Sequence, residues 1–298
     1  MAASTKQIKG KIQSVDNIKQ ITKAMQLVSV TKMRRAADRV VLSREYANRA
    51  REILENLTTH ETLSHPLLTY NDTSPVLAVV VASDKSLCGS FNANVKKTLS
   101  RFKQASSVDR VDVLAVGKHS KRMAKQLDCD VVASFSDFSE HVTISDVGGV
   151  FEFLYNQFID ENYHRVVVIY SQYESTLSYK PLVSQLLPVD AASMGDSLSD
   201  MVDRDPEMQT EIMSRYLFEP SDETVLSAII PRLTKVRLFQ ALIESQASEH
   251  SARMFAMKNA TENAEEVSED LEQRYNRARQ QSVTQEISEI AAAADAFA

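Results

Sequence analysis

The sequence predicts an α/β fold in which a central domain with a parallel sheet is inserted between two long helices that form an antiparallel coiled coil. Residues 11–65 and 232–298 contain neither glycine nor proline. Helices of that length do not fit inside a compact domain, so each must pack on another helix or on a partner. Between them, apolar runs alternate with helical stretches, which is typical of a parallel sheet. We expect an N-terminal helix at 1–65, an α/β domain at 66–215, and a C-terminal helix at 216–298 that pairs with the first.

The first helix carries an apolar stripe whose members are three or four residues apart. This spacing places them on one helical face. Ser4 and Gln7 resemble a capping box, with Ser4 as the N-cap. We expect the face that packs on the second helix to consist of Ile8, Ile12, Val15, Ile18, Ile21, Met25 and Val28.

The last helix repeats this pattern with smaller side chains. The mean spacing of its stripe is about 3.67 residues, which predicts a straighter, slightly right-handed path rather than the left-handed supercoil of a strict heptad. Alanines in the stripe allow a second helix to approach closely. The predicted stripe is Ala256, Ala260, Ala264, Val267, Leu271, Tyr275 and Ala278.

The middle of the chain predicts a Rossmann-like domain. Its first and last strands are continuous apolar runs, as expected for strands buried on both faces. Glu174–Pro188 is expected to add an edge strand or hairpin, and the acidic segment Asp190–Pro206 a loop. Ser221 or Asp222 is expected to cap the last helix. The predicted strands are Val76–Ser83, Val111–Val116, Val131–Phe135 and Val166–Tyr170, and the helices between them are Asn92–Gln104, Lys118–Gln126 and Ile144–Asn162.

Composition argues against several classes of protein. Only 6 of the 298 residues are glycine, which disfavours glycine-rich nucleotide-binding folds and β-propellers. No apolar stretch approaches the length of a transmembrane helix, and the N-terminus lacks a signal core. Cys88 and Cys129 are too few for a disulfide framework or a zinc site, so a reducing, intracellular compartment is expected.

No residue pattern predicts a catalytic, cofactor or metal site. Cys88 follows the first strand, and a nucleophilic cysteine would need His119, His141 or His164 as its base. We favour a structural loop there instead. The segment from Gly117 to Ser120 departs from a P-loop, and the six histidines show no metal-ligand spacing.

Charge is unevenly distributed along the chain. Residues 1–56 carry 12 basic and 5 acidic side chains, whereas the whole chain has a net charge of -6. A basic helix in an acidic chain is expected to meet an anionic surface. Lys32, Arg34, Arg35 and Arg39 form a cluster without interleaved aromatic residues, so nucleic acid is not the expected partner.

Four segments, in order along the chain, resemble the gamma subunits of F-type ATP synthases. The resemblance spans essentially the whole chain, and Gln185–Pro188 is also similar to the central domain of that family. Four matching segments in the right order are not expected by chance between unrelated sequences. The segments are Ile21–Met33, Ser83–Asn92, Ser248–Asn263 and Tyr275–Ile290.

The resemblance implies a rotor shaft without an active site or cofactor. Its paired helices would stand inside a hexamer of alpha and beta subunits. Its α/β domain would contact the epsilon subunit and the membrane-embedded ring of c subunits. One copy would be present per complex, on the cytoplasmic face of a bacterial inner membrane. Ion flow would turn the shaft, and ATP would be made or hydrolysed on the beta subunits.

Three sets of partner-binding residues are predicted with this resemblance. Residues that would catch loops of the alpha and beta subunits are Met25 on the first helix and the polar residues Arg253, Gln280, Thr284 and Glu286 on the last. Basic residues expected to face acidic loops of the beta subunits are Lys9, Lys11, Lys23, Lys32, Arg34 and Arg35. The foot that would contact epsilon and the c ring comprises Tyr216, Phe218 and Glu219.

The sequence departs from the family pattern in two places. Lys85 and Ser86 stand where the family has Arg and Gly, and serine tolerates a positive φ poorly. The glycine usual after the last segment is missing, which favours a helix that continues to the tip. The regulatory cysteine insert of chloroplast relatives is also absent, so thiol control is not expected.

Two other classes of function share some of these features. A coiled-coil adaptor would share the long helices but has no reason to carry the four segments. An enzyme using the α/β domain would need catalytic or ligand-binding residues at the strand ends, and no such pattern is found there. Co-purification with alpha and beta subunits separates these possibilities from a shaft.

Overall fold

The computed structural model describes residues 5–58, 65–105, 110–138, 142–189 and 222–297. The chain forms two compact units. One comprises Met1–Val30 with Arg253–Ala298, and the other is Thr31–Ala252. The predicted cap Ser4, the predicted loop at 190–206 and Ser221 lie outside the described residues.

The elements follow the predicted order. The helices are α1 (Thr5–Thr58), α2 (Phe91–Ala105), α3 (Lys118–Gln126), α4 (Gly148–Ile159) and α5 (Asp222–Phe297), with a short 3-10 turn at Pro66–Leu68. The strands are β1 (Val76–Val81), β2 (Val111–Val116), β3 (Val131–Phe135), β4 (Arg165–Tyr173) and β5 (Tyr179–Leu187). The α/β fold with long terminal helices is therefore confirmed, and α5 continues to the tip as the missing glycine suggested.

The five strands form one mixed sheet in the order β3-β2-β1-β4-β5. The first four are parallel, and β5 is antiparallel to β4. The predicted edge strand is thus present, and it makes the sheet mixed rather than purely parallel. Every residue of β1 and β2 is buried, which explains the continuous apolar run of β1; β2 is apolar except for Asp112.

Alternate strand residues supply two separate cores within the second unit. On one face, Ala78 and Val80 pack with Val95 and Leu99 of α2 and with Met123 of α3, among others. On the other face, the strands pack against α4, α5 and part of α1. That core includes Leu77, Val79, Ala36, Leu154 and Leu242. Because side chains alternate across a strand, both faces are filled from the same short runs.

In the first unit, α1 and α5 pair in antiparallel register. Ser268 donates to Asp16 at 2.9 Å, Lys19 contacts Glu265 at 2.6 Å, and Thr261 donates to Thr22 at 2.8 Å. As the residue number rises on one helix, it falls by about the same amount on the other. These contacts are polar, and two of the three involve buried or nearly buried hydroxyls.

The expected 3.67-residue spacing of the α5 stripe is wrong. The positions that turn inward step alternately by four and three residues, which is a heptad and the period of a left-handed coiled coil. Val267, a member of the predicted stripe, is 47% exposed. The buried and half-buried positions are Met257, Thr261, Ala264, Ser268, Leu271, Tyr275 and Ala278.

The predicted stripe of α1 is also wrong in its second half. Ile18, Ile21 and Val28 are 53%, 59% and 52% exposed. A stripe with steps of mostly three residues drifts away from a seam that repeats every 3.5 residues. The seam begins with the aliphatic residues of the predicted stripe and continues with polar ones, at Ile8, Ile12, Val15, Lys19, Thr22, Gln26 and Ser29.

Replacing each of two glycines by alanine is expected to have opposite effects on stability. Gly117 follows β2 with φ +91°, and a Cβ there would lie 2.1 Å from the carbonyl oxygen of Ala82. We expect Gly117→Ala to lower the free energy of unfolding by more than about 3 kcal/mol, through strain and steric overlap.

Gly10 lies in α1 with nothing within 4 Å. Gly10→Ala should instead raise stability by about 0.5–1 kcal/mol. Urea unfolding of the purified chain measures both, and equal effects would contradict the packing described for Gly117.

Candidate functional site

The carboxyl edge of the sheet is where an α/β fold of this order would hold a ligand. The strand order reverses between β1 and β4, and such switch points form the usual crevice. The cavity near this edge has a volume of about 70 Å³ and is lined by Val81 and Gly117, with Leu242, Ser245 and Gln246 of α5. Ligand pockets are typically about 300–1,000 Å³, so α5 leaves space for water rather than for a nucleotide.

The loop after β1 is held by its own polar groups. Asn92 donates to the Ser83 hydroxyl at 2.7 Å and to the Cys88 sulfur at 3.2 Å. The Asp84 carboxylate accepts from the backbone N–H of Lys118 at 2.9 Å and of Asp137 at 3.1 Å. These bonds tie together the chain segments that follow β1, β2 and β3. Asp84 and Cys88 therefore have structural partners in this loop.

The histidines considered as bases for Cys88 have other surroundings. The His119 ring nitrogen lies 3.4 Å from the Ser86 hydroxyl, and burial lowers the pKa of this histidine. His164 Nδ1 lies 2.7 Å from the carbonyl oxygen of Asn71. His141 lies outside the described residues. The reading of Cys88 as a nucleophile gains no support from these positions.

The predicted catch residues of the C-terminal tip lie on an exposed helix. Every side chain from Arg279 to Ala293 is exposed. The Thr284 hydroxyl donates to the Gln280 carbonyl at 2.9 Å, and the Ser282 hydroxyl donates to Glu286 at 3.4 Å. Gln280 and Thr284 line the same shallow depression. These two residues form one surface at the tip.

The five predicted catch residues are not brought together. Arg253 precedes Gln280 by a helical length of about 40 Å at 1.5 Å per residue. Arg253 is only 8% exposed, and Met25 is half-buried. Arg253 is therefore not part of the surface formed by Gln280 and Thr284.

The predicted basic residues do not form one face of α1. Lys9 and Lys23 are two heptads apart and lie on the same side of the helix. Lys11 follows Lys9 by two residues and points elsewhere. Five of the six are exposed, and Lys32 is half-buried. The foot residues Tyr216, Phe218 and Glu219 lie outside the described residues.

Comparison with known proteins shows the family. A family model described as ATP synthase matches residues 4–297. The ATP synthase gamma chain of Roseiflexus sp. (strain RS-1) is 38% identical over 301 residues, which cover 99% of each chain. That of Chloroflexus aurantiacus (strain ATCC 29366 / DSM 635 / J-10-fl) is 37% identical over 300 residues, again 99% of each. The chain belongs to the ATP synthase gamma chain family.

Solved structures share the fold at lower identity. A chain of the mitochondrial ATP synthase of Euglena gracilis, solved as OSCP/F1/c-ring in rotational state 3, aligns with a TM-score of 0.67 at 17% identity. The alignment covers 98% of this chain and 94% of that one. A chain of the central stalk and c ring of the Tetrahymena thermophila enzyme aligns with a TM-score of 0.57 at 23% identity, covering 80% and 99%. These structures confirm the fold, whereas the family model and the two relatives confirm the resemblance carried by the four sequence segments.

The loop that departs from the gamma family pattern accommodates its changes. Positive φ angles occur at Leu87 (64°) and Gly89 (56°), not at Ser86. A glycine is therefore not required at the position of Ser86. Lys85 stands where the family has arginine, and its backbone carbonyl accepts from the Ser83 hydroxyl at 2.8 Å.

Sequence reasoning missed a basic surface in the second unit. Helices α2 and α3 cover the same face of the sheet and contain no acidic residue. Counting charges on the two predicted helices would have found it. Their basic residues are Lys96, Lys97, Arg101, Lys103, Lys118, Lys121, Arg122 and Lys125.

Sequence reasoning also missed a buried acid. Glu244 of α5 is 1% exposed, and its Oε1 accepts from the Arg44 guanidinium of α1 at 3.1 Å. Burial raises the pKa of Glu244, and Arg44 and Gln240 offset this only in part.

Among the described residues, no group of three or more His, Cys, Asp or Glu could hold a metal ion. No helix in the described part of the chain is long and apolar enough to cross a membrane.

The buried acid predicts a pH dependence of stability. A carboxyl whose folded pKa lies above its ordinary value of 4.5 stabilises the fold below that pH, and this contribution is lost as pH rises through the folded pKa. Glu244→Gln should remove the effect. The free energy of unfolding of the wild type minus that of the variant should therefore fall above about pH 4.5.

Glu265→Gln is the matched control on the same helix. Lys19 lowers the pKa of the exposed Glu265 carboxyl, so its difference should change in the opposite direction with pH. Urea unfolding of both variants at several pH values measures this. A difference for Glu244→Gln that rises with pH would contradict the assignment.

Proposed function

We propose that the chain is the central-stalk shaft of an F-type ATP synthase. Rotation of this shaft couples ion flow through the membrane ring to ATP synthesis or hydrolysis by the surrounding alpha and beta subunits. The chain itself is non-catalytic, and the reaction takes place on the beta subunits. Membership of the gamma chain family supports this assignment.

The distribution of apolar side chains in the first unit carries the proposal. In a self-sufficient coiled coil the large aliphatic residues fill the seam. Here the seam holds Thr22, Ser29, Thr261 and Ser268, which are buried. Ile8 and Met257 are buried as well, but Ile18, Ile21, Leu27 and Val28 lie outside the seam, all more than half exposed. A helix pair with an apolar exterior fits inside a sleeve formed by other subunits.

The tip adds a second apolar surface. Val283, Ile287 and Ile290 are 49%, 62% and 71% exposed and follow one helical face. This segment shows no buried side chain, and an isolated helical end of this length is marginal in water. A surrounding partner would both cover the apolar side chains and stabilise the helix.

Rotation can control the catalytic subunits because the shaft is not symmetric about its axis. Each angle of the shaft presents different side chains to a given beta subunit, and a ligand or partner shifts a conformational equilibrium only through such differential contacts. Gln280, Thr284 and Glu286 supply polar contacts at the tip. Arg253 and Met25 would act at a separate level of the shaft. Lys9 and Lys23, on one side of α1, are proposed to meet acidic loops of the beta subunits.

The remaining assignments follow from the same function. The epsilon subunit and the c ring would bind at Tyr216, Phe218 and Glu219, and the chain would reach the membrane only through the complex. It would lie at the cytoplasmic face of a bacterial inner membrane, as one copy per complex. Nucleic acid and cofactors have no part in this function.

Co-purification tests the function as a whole. Expressed with alpha and beta subunits, the tagged chain should recover both in one complex that hydrolyses ATP. A fluorescent bead attached to the chain should turn when ATP is added. The chain alone should hydrolyse no ATP. Recovery of the chain without alpha and beta subunits would refute the shaft.

The tip contact is tested by Gln280→Leu. The substitution keeps the size of the side chain but removes an amide that could bond to a catalytic loop. Because such contacts contribute about 1–3 kcal/mol when desolvated, ATP hydrolysis by the assembled complex should fall roughly tenfold. Gln273→Leu, at an exposed position of α5 before the tip, is the matched control. Normal turnover in both variant complexes would contradict a polar contact by Gln280 and would leave shape complementarity alone to hold the tip.

A further inference from the structure

A polar stripe on α5 faces the end of β4 within the second unit. Glu244, Ser248 and Ser251 follow one another at steps of four and three residues, and each is at most 1% exposed. Such a stripe normally carries large apolar side chains where a helix packs on a sheet. Its small hydroxyls therefore call for an explanation beyond packing.

The stripe and α1 bond to backbone carbonyls of β4 and the turn after it. The Ser248 hydroxyl donates to the carbonyl oxygen of Ser171 at 3.0 Å, and the Ser251 hydroxyl to that of Thr176 at 2.6 Å. The Arg44 guanidinium of α1 donates to the carbonyl oxygen of Tyr173 at 2.7 Å. We name these three contacts the carbonyl joint.

The strand ends explain why these carbonyls are available. Pairing between β1 and β4 ends at Val80 and Ile169, whereas β4 continues to Tyr173. On the other side, Ser171 pairs with Pro181, which has no N–H to donate. Buried backbone carbonyls need a donor, and the two long helices supply it.

Further contacts hold the joint in place. Glu244 accepts from Arg44, so the donor on α1 is fixed by an acceptor on α5. Next to Ser251, Ala252 belongs to a buried cluster with Cys88 and Phe91, against which Tyr179 of β5 packs. Both helices are thus attached to one end of one hairpin.

We infer that the carbonyl joint is where rotation passes between the α/β domain and the two helices, and that Ser248 and Ser251 are positioning residues for coupling. This inference rests on the proposed function. A hydroxyl bonded to a fixed carbonyl restrains the helix against turning and sliding, because a displacement of about 1 Å breaks the bond. Apolar packing elsewhere on α5 has no such directional requirement.

The test removes the hydroxyls and leaves the packing. In the assembled, membrane-bound complex, Ser248→Ala combined with Ser251→Ala should leave the rate of ATP hydrolysis close to that of the wild type. ATP-driven ion pumping per ATP hydrolysed should fall roughly threefold or more, since a hydrogen bond shifts an equilibrium by about that factor. Ser227→Ala is the matched control, because the exposed Ser227 hydroxyl donates to the Thr224 carbonyl of the same helix.

An unchanged ratio of pumping to hydrolysis in the double variant would overturn the inference, while the shaft function would stand. Where the double variant does not assemble, Ser251→Ala alone is measured by the same criterion. Failure of the wild-type chain to join alpha and beta subunits would refute the proposed function instead. The two failures are therefore distinguishable.

Discussion

The antiparallel register of α1 and α5 in the first unit is the constraint on which the other features of that unit depend. It is set by polar pairs, chiefly Thr22 with Thr261 and Asp16 with Ser268. Small hydroxyl side chains let two helices approach closely, and their directional bonds specify which residues meet. Beyond Val15, the seam positions of α1 are polar, and the large aliphatic residues between them point outward. The apolar exterior of this part of α1 thus accompanies a polar seam.

In the second unit, α5 limits the space for a ligand at the carboxyl edge of the sheet. A sheet with this strand order offers a crevice beyond the carboxyl ends of its strands. Leu242, Ser245 and Gln246 line what remains of it. The loop after β1, glycine-rich in dinucleotide-binding folds, is here closed by Asn92 and Cys88 and packs beside Ala252. The fold is retained while the helix fills the place of a ligand, so fold alone would have misled about function.

The elements that sequence predicted best are short ones with a clear apolar pattern. Strands β2 and β3 and helix α3 have the predicted bounds, because a short apolar run or a short amphipathic helix has one way to bury itself. The predicted seam is wrong for a different reason. Thr22, Ser29 and Thr261 carry no apolar signal, so the sequence pattern favours the stripe through Ile18 and Ile21 as the buried face. Contacts such as that of Ser251 with the Thr176 carbonyl depend on tertiary structure and leave no periodic pattern.

The two units consequently differ in how they are stabilised. The second has two apolar cores. The first buries several small and polar side chains and exposes several large aliphatic ones, so its helix pair gains less from the hydrophobic effect in water. A partner that covers Ile21, Leu27 and Ile287 removes their apolar surface from water. That partner therefore stabilises the first unit at the same step at which it binds, which couples the folding of the shaft to assembly.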